Sequence, residues 1–142
     1  MKLALGSDHA GFVHKEMLRL WLIGEGYEIQ DFGTYSADSM DYPDVAHPLA
    51  AAVAAGEFAQ GILLCGSANG VCITANKHAG VRGAIAWLPE IAALARQHNN
   101  ANVLCVPARY VSEEQAREIV STFLNTDFEG GRHQLRVSKI NC

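Results

Sequence analysis

No apolar run in these 142 residues reaches the ~18–20 that a bilayer-spanning helix needs. Charge is scarce: 11 Lys and Arg against 15 Asp and Glu leave a net −4. That balance excludes the basic coat of a nucleic-acid binder and the basic face of a membrane-surface protein. There is no internal repeat, low-complexity segment or linker. The four cysteines, at 65, 72, 105 and 142, are not crowded into turns as in small secreted domains. The gap from Cys65 to Cys72 is too long for a zinc C-x2–4-C pair, so no metal is expected. The first residues, Met1-Lys2-Leu3-Ala4-Leu5-Gly6, enter a strand-like run without the longer apolar stretch of a signal peptide. Free thiols and a cytoplasmic location are expected.

What is present is apolar: 49% of the chain against 18% charged, enough to fill a core without staples. Short apolar runs alternate with longer amphipathic ones. Residues 2–6, 27–32, 61–65, 81–87 and 102–106 read as strands. Residues 12–23, 43 or 48 to 55, 68–77 and 89–97 read as helices, followed by one opened by the capping box Ser112-Glu113-Glu114-Gln115. The apolar stripe of the first helix is read as Val13, Met17, Leu20 and Trp21. The pattern predicts a single domain over residues 1–142, with 129–142 a C-terminal basic tail or helix. Its fold class is α/β, a three-layer α-β-α sandwich on a doubly wound, five-stranded parallel sheet, Rossmann-like, with order 2-1-3-4-5. In that order the ligand crevice lies beyond the carboxyl ends of strands 1 and 3.

Those ends carry Ser7-Asp8-His9 and Cys65-Gly66-Ser67-Ala68-Asn69-Gly70. Cys65 stands where a buried strand meets a helix start, where free amides and the helix dipole favour negative charge. That placement suits a thiol acting as nucleophile or general base, and it equally suits a small core hydrophobe. The 66–70 turn offers N–H groups to an oxyanion or phosphate, although tight turns need glycine for steric reasons alone. It is neither a P-loop nor a G-x-G-x-x-G fingerprint. Asp8 and His9 are either site residues or a helix cap. Ala68 is either left-handed, at a cost of roughly 1–2 kcal/mol, or, as favoured, already helical and so harmless. Arg132 and Arg136, at i and i+4, can grip a dianion together or form a solvated tail. Arg109, just after strand 5, falls on the ligand side. His98 ends a helix running against the strands. It cannot easily reach its own Cys65, so it is either a helix cap or part of a neighbouring subunit's crevice.

Taken together, Gly6-Ser7-Asp8-His9-Ala10-Gly11, Asp41-Tyr42-Pro43-Asp44, Cys65-Gly66-Ser67, Ala75-Asn76-Lys77, Arg96-Gln97-His98-Asn99, Asn102-Val103-Leu104 and Glu129-Gly130-Gly131-Arg132-His133-Gln134 cover nearly the whole chain. Their set resembles the type B ribose-5-phosphate isomerases, in the family that also holds galactose-6- and allose-6-phosphate isomerases. The resemblance implies a phosphorylated sugar as partner, a cis-enediolate mechanism, no cofactor, and a homodimer with shared active sites or a tetramer. It implies Cys65 as base, Ser67 as a hydroxyl holding the reacting oxygens, Asp8 as handler of hydroxyl protons and His98 as the ring opener. Gly66, Asn69 and Gly70 fall in the anion turn, and Asn99 matches a contact to the enediolate. His9, Arg109, Arg132 and Arg136 match the phosphate grip. Where some members carry a Glu base a few residues beyond the cysteine, this chain has Val71. The other implied substrates are six-carbon sugar phosphates. A non-catalytic sugar-phosphate sensor or a flavodoxin-like domain would share the fold class but would not need the base and ring-opening histidine together.

Overall fold

The apolar runs become the strands of one parallel sheet in the computed structural model, which describes residues 1–141. Cys142, expected to be a free thiol, lies outside the described residues. The strands are β1 (Lys2–Ser7), β2 (Glu28–Asp31), β3 (Gly61–Cys65), β4 (Gly83–Ile85) and β5 (Val103–Pro107). The helices are α1 (Phe12–Gly24), α2 (Pro43–Ala54), α3 (Asn69–Ala75), α4 (Pro89–Asn99), α5 (Glu113–Leu124) and α6 (Arg132–Ser138). Pro43 opens α2 and Pro48 lies inside it. The 129–142 segment thus contains a short helix, and the capping box at Ser112 closes as expected, with Ser112 Oγ accepting from the Gln115 N–H.

The strand order is 2-1-3-5-4, which corrects the expected 2-1-3-4-5 at its last two places. Every residue of β5 is buried, whereas β4 is three residues long and half-buried. An interior parallel strand must be apolar on both faces, so β5 takes the place beside β3 and β4 the edge. Right-handed crossovers then fix the layers. The steps from β1 to β2 and from β4 to β5 run one way along the sheet and place α1 and α4 on one face. The steps from β2 to β3 and from β3 to β4 run the other way and place α2 and α3 opposite.

The strand alternation follows this division. Leu3, Leu5, Ile62, Leu64, Leu104 and Val106 pack with α1, α4 and α5, while Ala4, Leu63, Cys65, Val103 and Cys105 pack with α2 and α3.

In α1 the fully buried stripe is Lys15, Leu18 and Leu22, while Met17 and Trp21 of the expected stripe pack against the core half-buried. Val13 and Leu20 are exposed. The shift of register follows from Lys15, whose fully buried ammonium donates to Asp31 Oδ2 at 2.7 Å and to Glu16 Oε2 at 3.0 Å. A lysine on a core face is affordable only when so paired, and no apolar periodicity reveals it. The pair ties α1 to the end of β2. Asp31→Asn is expected to lower stability by about 3 kcal/mol, because it removes one partner of a buried ion pair. Asp31→Asn combined with Lys15→Met should recover much of that loss, and urea unfolding of both variants checks it.

Candidate active site

The chain leaves β1 and β3 side by side at the carboxyl edge of the sheet. The Asp8 N–H donates to the Leu64 carbonyl at 3.1 Å. Gly11 sits so close to β3 that a Cβ there would meet Leu64 Cβ at 2.8 Å, so glycine is required for α1 to begin at this point. Asp8 Oδ1 accepts from the Gly11 N–H at 3.1 Å in the turn before the helix; neither Asp8 nor His9 is the N-cap of α1, which is Gly11 with no side-chain cap bond. The bond to Gly11 occupies one carboxylate oxygen of Asp8. His9 Nδ1 accepts from the Met40 N–H at 3.2 Å. In the neutral ring that bond places the remaining proton on Nε2.

Cys65 ends β3, is 5% exposed and faces the α2–α3 side. The corrected strand order brings β5 directly beside it. The Ala108 N–H donates to the Cys65 carbonyl at 2.9 Å and the Arg109 N–H to the Gly66 carbonyl at 3.1 Å. The Arg109 side chain lies across Gly66, where a Cβ would stand 3.0 Å from Nη1. On the other side of the turn the Tyr42 ring covers Gly70, where a Cβ would fall 2.6 Å from ring atoms. Tyr42 was not anticipated as a site residue; its only sequence signal is the motif Asp41-Tyr42-Pro43-Asp44. Ser67 Oγ accepts from the Asn69 N–H at 3.3 Å and from Asn69 Nδ2 at 3.2 Å. Among the described residues, the N–H groups of Ser67, Ala68 and Gly70 donate to no backbone acceptor. The hydrogen bond with Cys72 and complete burial push the Cys105 thiol well above its ordinary range, which marks it as an inert core group.

Ala68 is left-handed, with φ +66° and ψ −8°, and corrects the expectation of a helical residue. Leaving the strand for α3 within three residues requires this reversal, and such turns let successive N–H groups converge on an anion. The conformation costs an L-residue roughly 1–2 kcal/mol. Ala68→Gly is expected to stay within about 1 kcal/mol of the parent. Relief of strain is offset by a lost buried methyl, about 0.8 kcal/mol, and by glycine's freer unfolded state, about 0.4–1 kcal/mol. Ala68→Val should lose more than about 2 kcal/mol, since a β-branched residue tolerates this region worst. Denaturant midpoints of the two variants test the turn.

The remaining predicted residues lie at the other edge. Helix α4 runs against the strands and ends in His98 and Asn99. Its cap, Asn100, is left-handed and held from both sides. Arg82 Nε donates to its carbonyl at 2.8 Å, and Arg96 Nη1 donates to its Oδ1 at 3.0 Å and to the Ala101 carbonyl at 2.6 Å. These arginines, unassigned from sequence, fix the direction in which His98 and Asn99 leave the fold. The Glu129 N–H donates to the Gln97 carbonyl at 3.1 Å, which docks the start of α6, and with it Arg132 and Arg136, beside His98. Partial desolvation, then His98 and Arg132, hold the His133 imidazole below its ordinary range.

The Gly61 N–H donates to the Asn102 carbonyl, so the end of α4 lies near the start of β3. Cys65 is four residues further along that strand, about 13 Å at the rise of a β-strand. Asp8, His9, Cys65, Gly66, Ser67, Asn69, Gly70 and Arg109 therefore share one edge. His98, Asn99, Arg132 and Arg136 share the other.

The model of the family described as Ribose/Galactose Isomerase matches residues 3–140. The chain is 46% identical over 141 residues to "Ribose-5-phosphate isomerase B" of Escherichia coli (strain K12), covering 99% of this chain and 95% of that protein. The crystal structure of a ribose 5-phosphate isomerase from Thermotoga maritima superposes with a TM-score of 0.96 at 48% identity, covering 99% of this chain and 97% of that one. Ribose-5-phosphate isomerase B from Mycoplasma genitalium, crystallised with bound ribulose-5-phosphate, gives a TM-score of 0.94 at 42% identity, covering 98% and 93%.

Proposed function

Because the chain belongs to the ribose/galactose isomerase family, we propose that it interconverts ribose 5-phosphate and ribulose 5-phosphate through a cis-enediolate. The observation that carries this reading is the thiol of Cys65 at the carboxyl end of a central strand, beside a turn with free amides and the Asp8 carboxylate. A proton on carbon next to a carbonyl is a weak acid. Its removal needs a base within about 3 Å and donors aimed at the developing oxyanion.

The Cys65 thiolate takes the C2 proton of the open-chain aldose, the electron pair moves onto the carbonyl oxygen, and the thiol so formed, whose proton exchanges with solvent, delivers a proton to C1 to give the ketose. The N–H groups of the 66–70 turn and the Ser67 hydroxyl hold the oxygens on which charge develops. Asp8 uses the carboxylate oxygen not engaged by Gly11 to move the hydroxyl proton between O1 and O2. His98 opens the aldose ring, and Asn99 contacts the enediolate. The phosphate is held by His9 through its Nε2 proton, by Arg109, and by Arg132 and Arg136. Its binding energy orients the reacting carbons, which it does not touch.

The two half-sites lie at opposite edges of one protomer, so the complete site is shared between two copies related by a two-fold axis. Helix α6 supports this reading: it has no buried residue, and it presents Leu135 at 61% exposure.

Arg132→Ala and Arg136→Ala are each expected to weaken substrate binding by about 1.5–3 kcal/mol, the worth of a charge-assisted hydrogen bond. Inorganic phosphate should compete with substrate in the parent and much less in either variant. Unchanged substrate and phosphate affinities in both would leave α6 a solvated basic segment. The reaction itself is tested by assaying the purified chain on ribose 5-phosphate, allose 6-phosphate and galactose 6-phosphate. The highest kcat/KM is expected on ribose 5-phosphate. A six-carbon preference would move the substrate, and turnover of none with binding retained would make the protein a sensor.

A further inference from the structure

We propose that His98, Glu129 and His133 form a binding site for a divalent transition-metal ion of the zinc type. The ligating atoms of these three side chains all lie within 4.8 Å of one another. Glu129 Oε1 stands 3.8 Å from His98 Nε2 and 3.5 Å from His133 Nε2. Both gaps are too long for good hydrogen bonds. They are close to the roughly 3.3–3.5 Å that separates two ligands on a tetrahedral ion at ~2.0–2.1 Å.

The cluster is built by the fold rather than by chance rotamers. The Glu129 N–H is anchored on the Gln97 carbonyl, next to His98 in sequence. His133 follows Glu129 by four residues at the start of α6. Both Nε2 atoms face the Glu129 carboxylate; the imidazoles stack with centroids 4.2 Å apart and planes 11° apart, and the His98 ring rotates off that stack to bring both in-plane lone pairs onto one ion. His133, at 13% side-chain exposure, is the fixed member. His98 at 41% and Glu129 at 50% have room to tilt onto the ion.

The donor set selects the ion. Two neutral imidazoles and one carboxylate suit zinc, cobalt(II) or nickel(II), and give magnesium or calcium too few oxygens. Three protein ligands leave a fourth position open. Arg132 and Arg136, on the same helix, oppose a bare dication, and an anion in the open position offsets their charge.

Occupation has a functional consequence that rests on the isomerase reading. The ion takes the Nε2 lone pair of His98, which ring opening requires. Ribulose 5-phosphate has no free hydroxyl with which to close a five-membered ring, so it enters already open. Zinc should therefore inhibit turnover of ribose 5-phosphate much more than turnover of ribulose 5-phosphate, and a chelator should restore it.

The test begins with binding, which is read without any sugar. Chelator-stripped protein is titrated with Co²⁺ by absorbance and with Zn²⁺ by calorimetry. The expected result is one ion per chain, with visible d–d bands and no thiolate charge-transfer band in the near ultraviolet. His133→Ala and Glu129→Gln, both on the surface of α6 or just before it, should each weaken binding at least tenfold, while Cys65→Ala should bind as the parent does. The proposal is overturned if no ion binds saturably, if His133→Ala and Glu129→Gln bind like the parent, or if the ion is carried by thiols. Binding as predicted in a chain that turns over no sugar phosphate would sustain the metal site and count only against the isomerase reading.

Discussion

Cys65→Ala is expected to lower kcat on ribose 5-phosphate by about 10²–10⁴-fold, the usual contribution of a positioned general base, while sugar-phosphate binding persists. The thiol is small and sits at a strand end, so its loss leaves a minor cavity and the half-site framework of Asp8, Arg109 and the 66–70 turn intact. Cys65→Ser should fare no better, because a hydroxyl at this position is a far weaker base than a thiolate. Cys72 and Cys105 provide the control. Both belong to the apolar layer between the sheet and α2 and α3, Cys72 from α3 itself and Cys105 from β5, and Cys105 is fully buried. Cys72→Ala and Cys105→Ala should affect stability more than turnover. Retained turnover in Cys65→Ala would remove the thiol from the mechanism and return it to the role of a core hydrophobe.

The second large effect is a gain. Cys65→Ala and His98→Ala chains, each inactive alone, should recover about a quarter of parental activity when mixed equally and allowed to exchange subunits. In a two-fold dimer half of the mixed population is heterodimeric. Each heterodimer has one site with both defects and one site with neither. The basis is the separation within one protomer: Cys65 at the carboxyl edge, and His98 beside the start of β3, about 13 Å lower along the strand. Proven exchange without recovery would place His98 outside the site.

Cys65, Asp8 and His9 fall at the carboxyl edge of the sheet, as expected, because the physics there is local. One continuous apolar run ends at a Gly-rich turn, and a second, buried from Leu3 to Ser7, ends at Asp8-His9. The carboxyl edge of a parallel sheet is then a crevice whatever the outer strand order. The helix direction that sends His98 to the opposite edge is equally local, since every crossover helix runs against its strands. The order of β4 and β5 was a different kind of question. It depends on which strand is covered on both faces, and the short, half-buried β4 belongs at the edge rather than in the commoner consecutive order. Correcting it explains why Arg109 lies across Gly66.

Ala68 misled because alanine is a helix former, and only the steric need to turn within three residues forces it to φ +66°. Lys15 was invisible because burial of an ammonium depends on Asp31, sixteen residues away on another element. Tyr42 needed the three-dimensional contact with Gly70 to be recognised.

The central claim is that Cys65 carries a carbon-bound proton between C1 and C2, and the most direct measurement is solvent-deuterium exchange followed by NMR. Ribulose 5-phosphate incubated with the protein in heavy water should acquire deuterium at C1, and the ribose 5-phosphate formed should carry it at C2. With Cys65→Ala, at concentrations that saturate binding, both signals should be reduced by about the factor lost in kcat. Deuterium entering at the parental rate with Cys65→Ala would contradict the account.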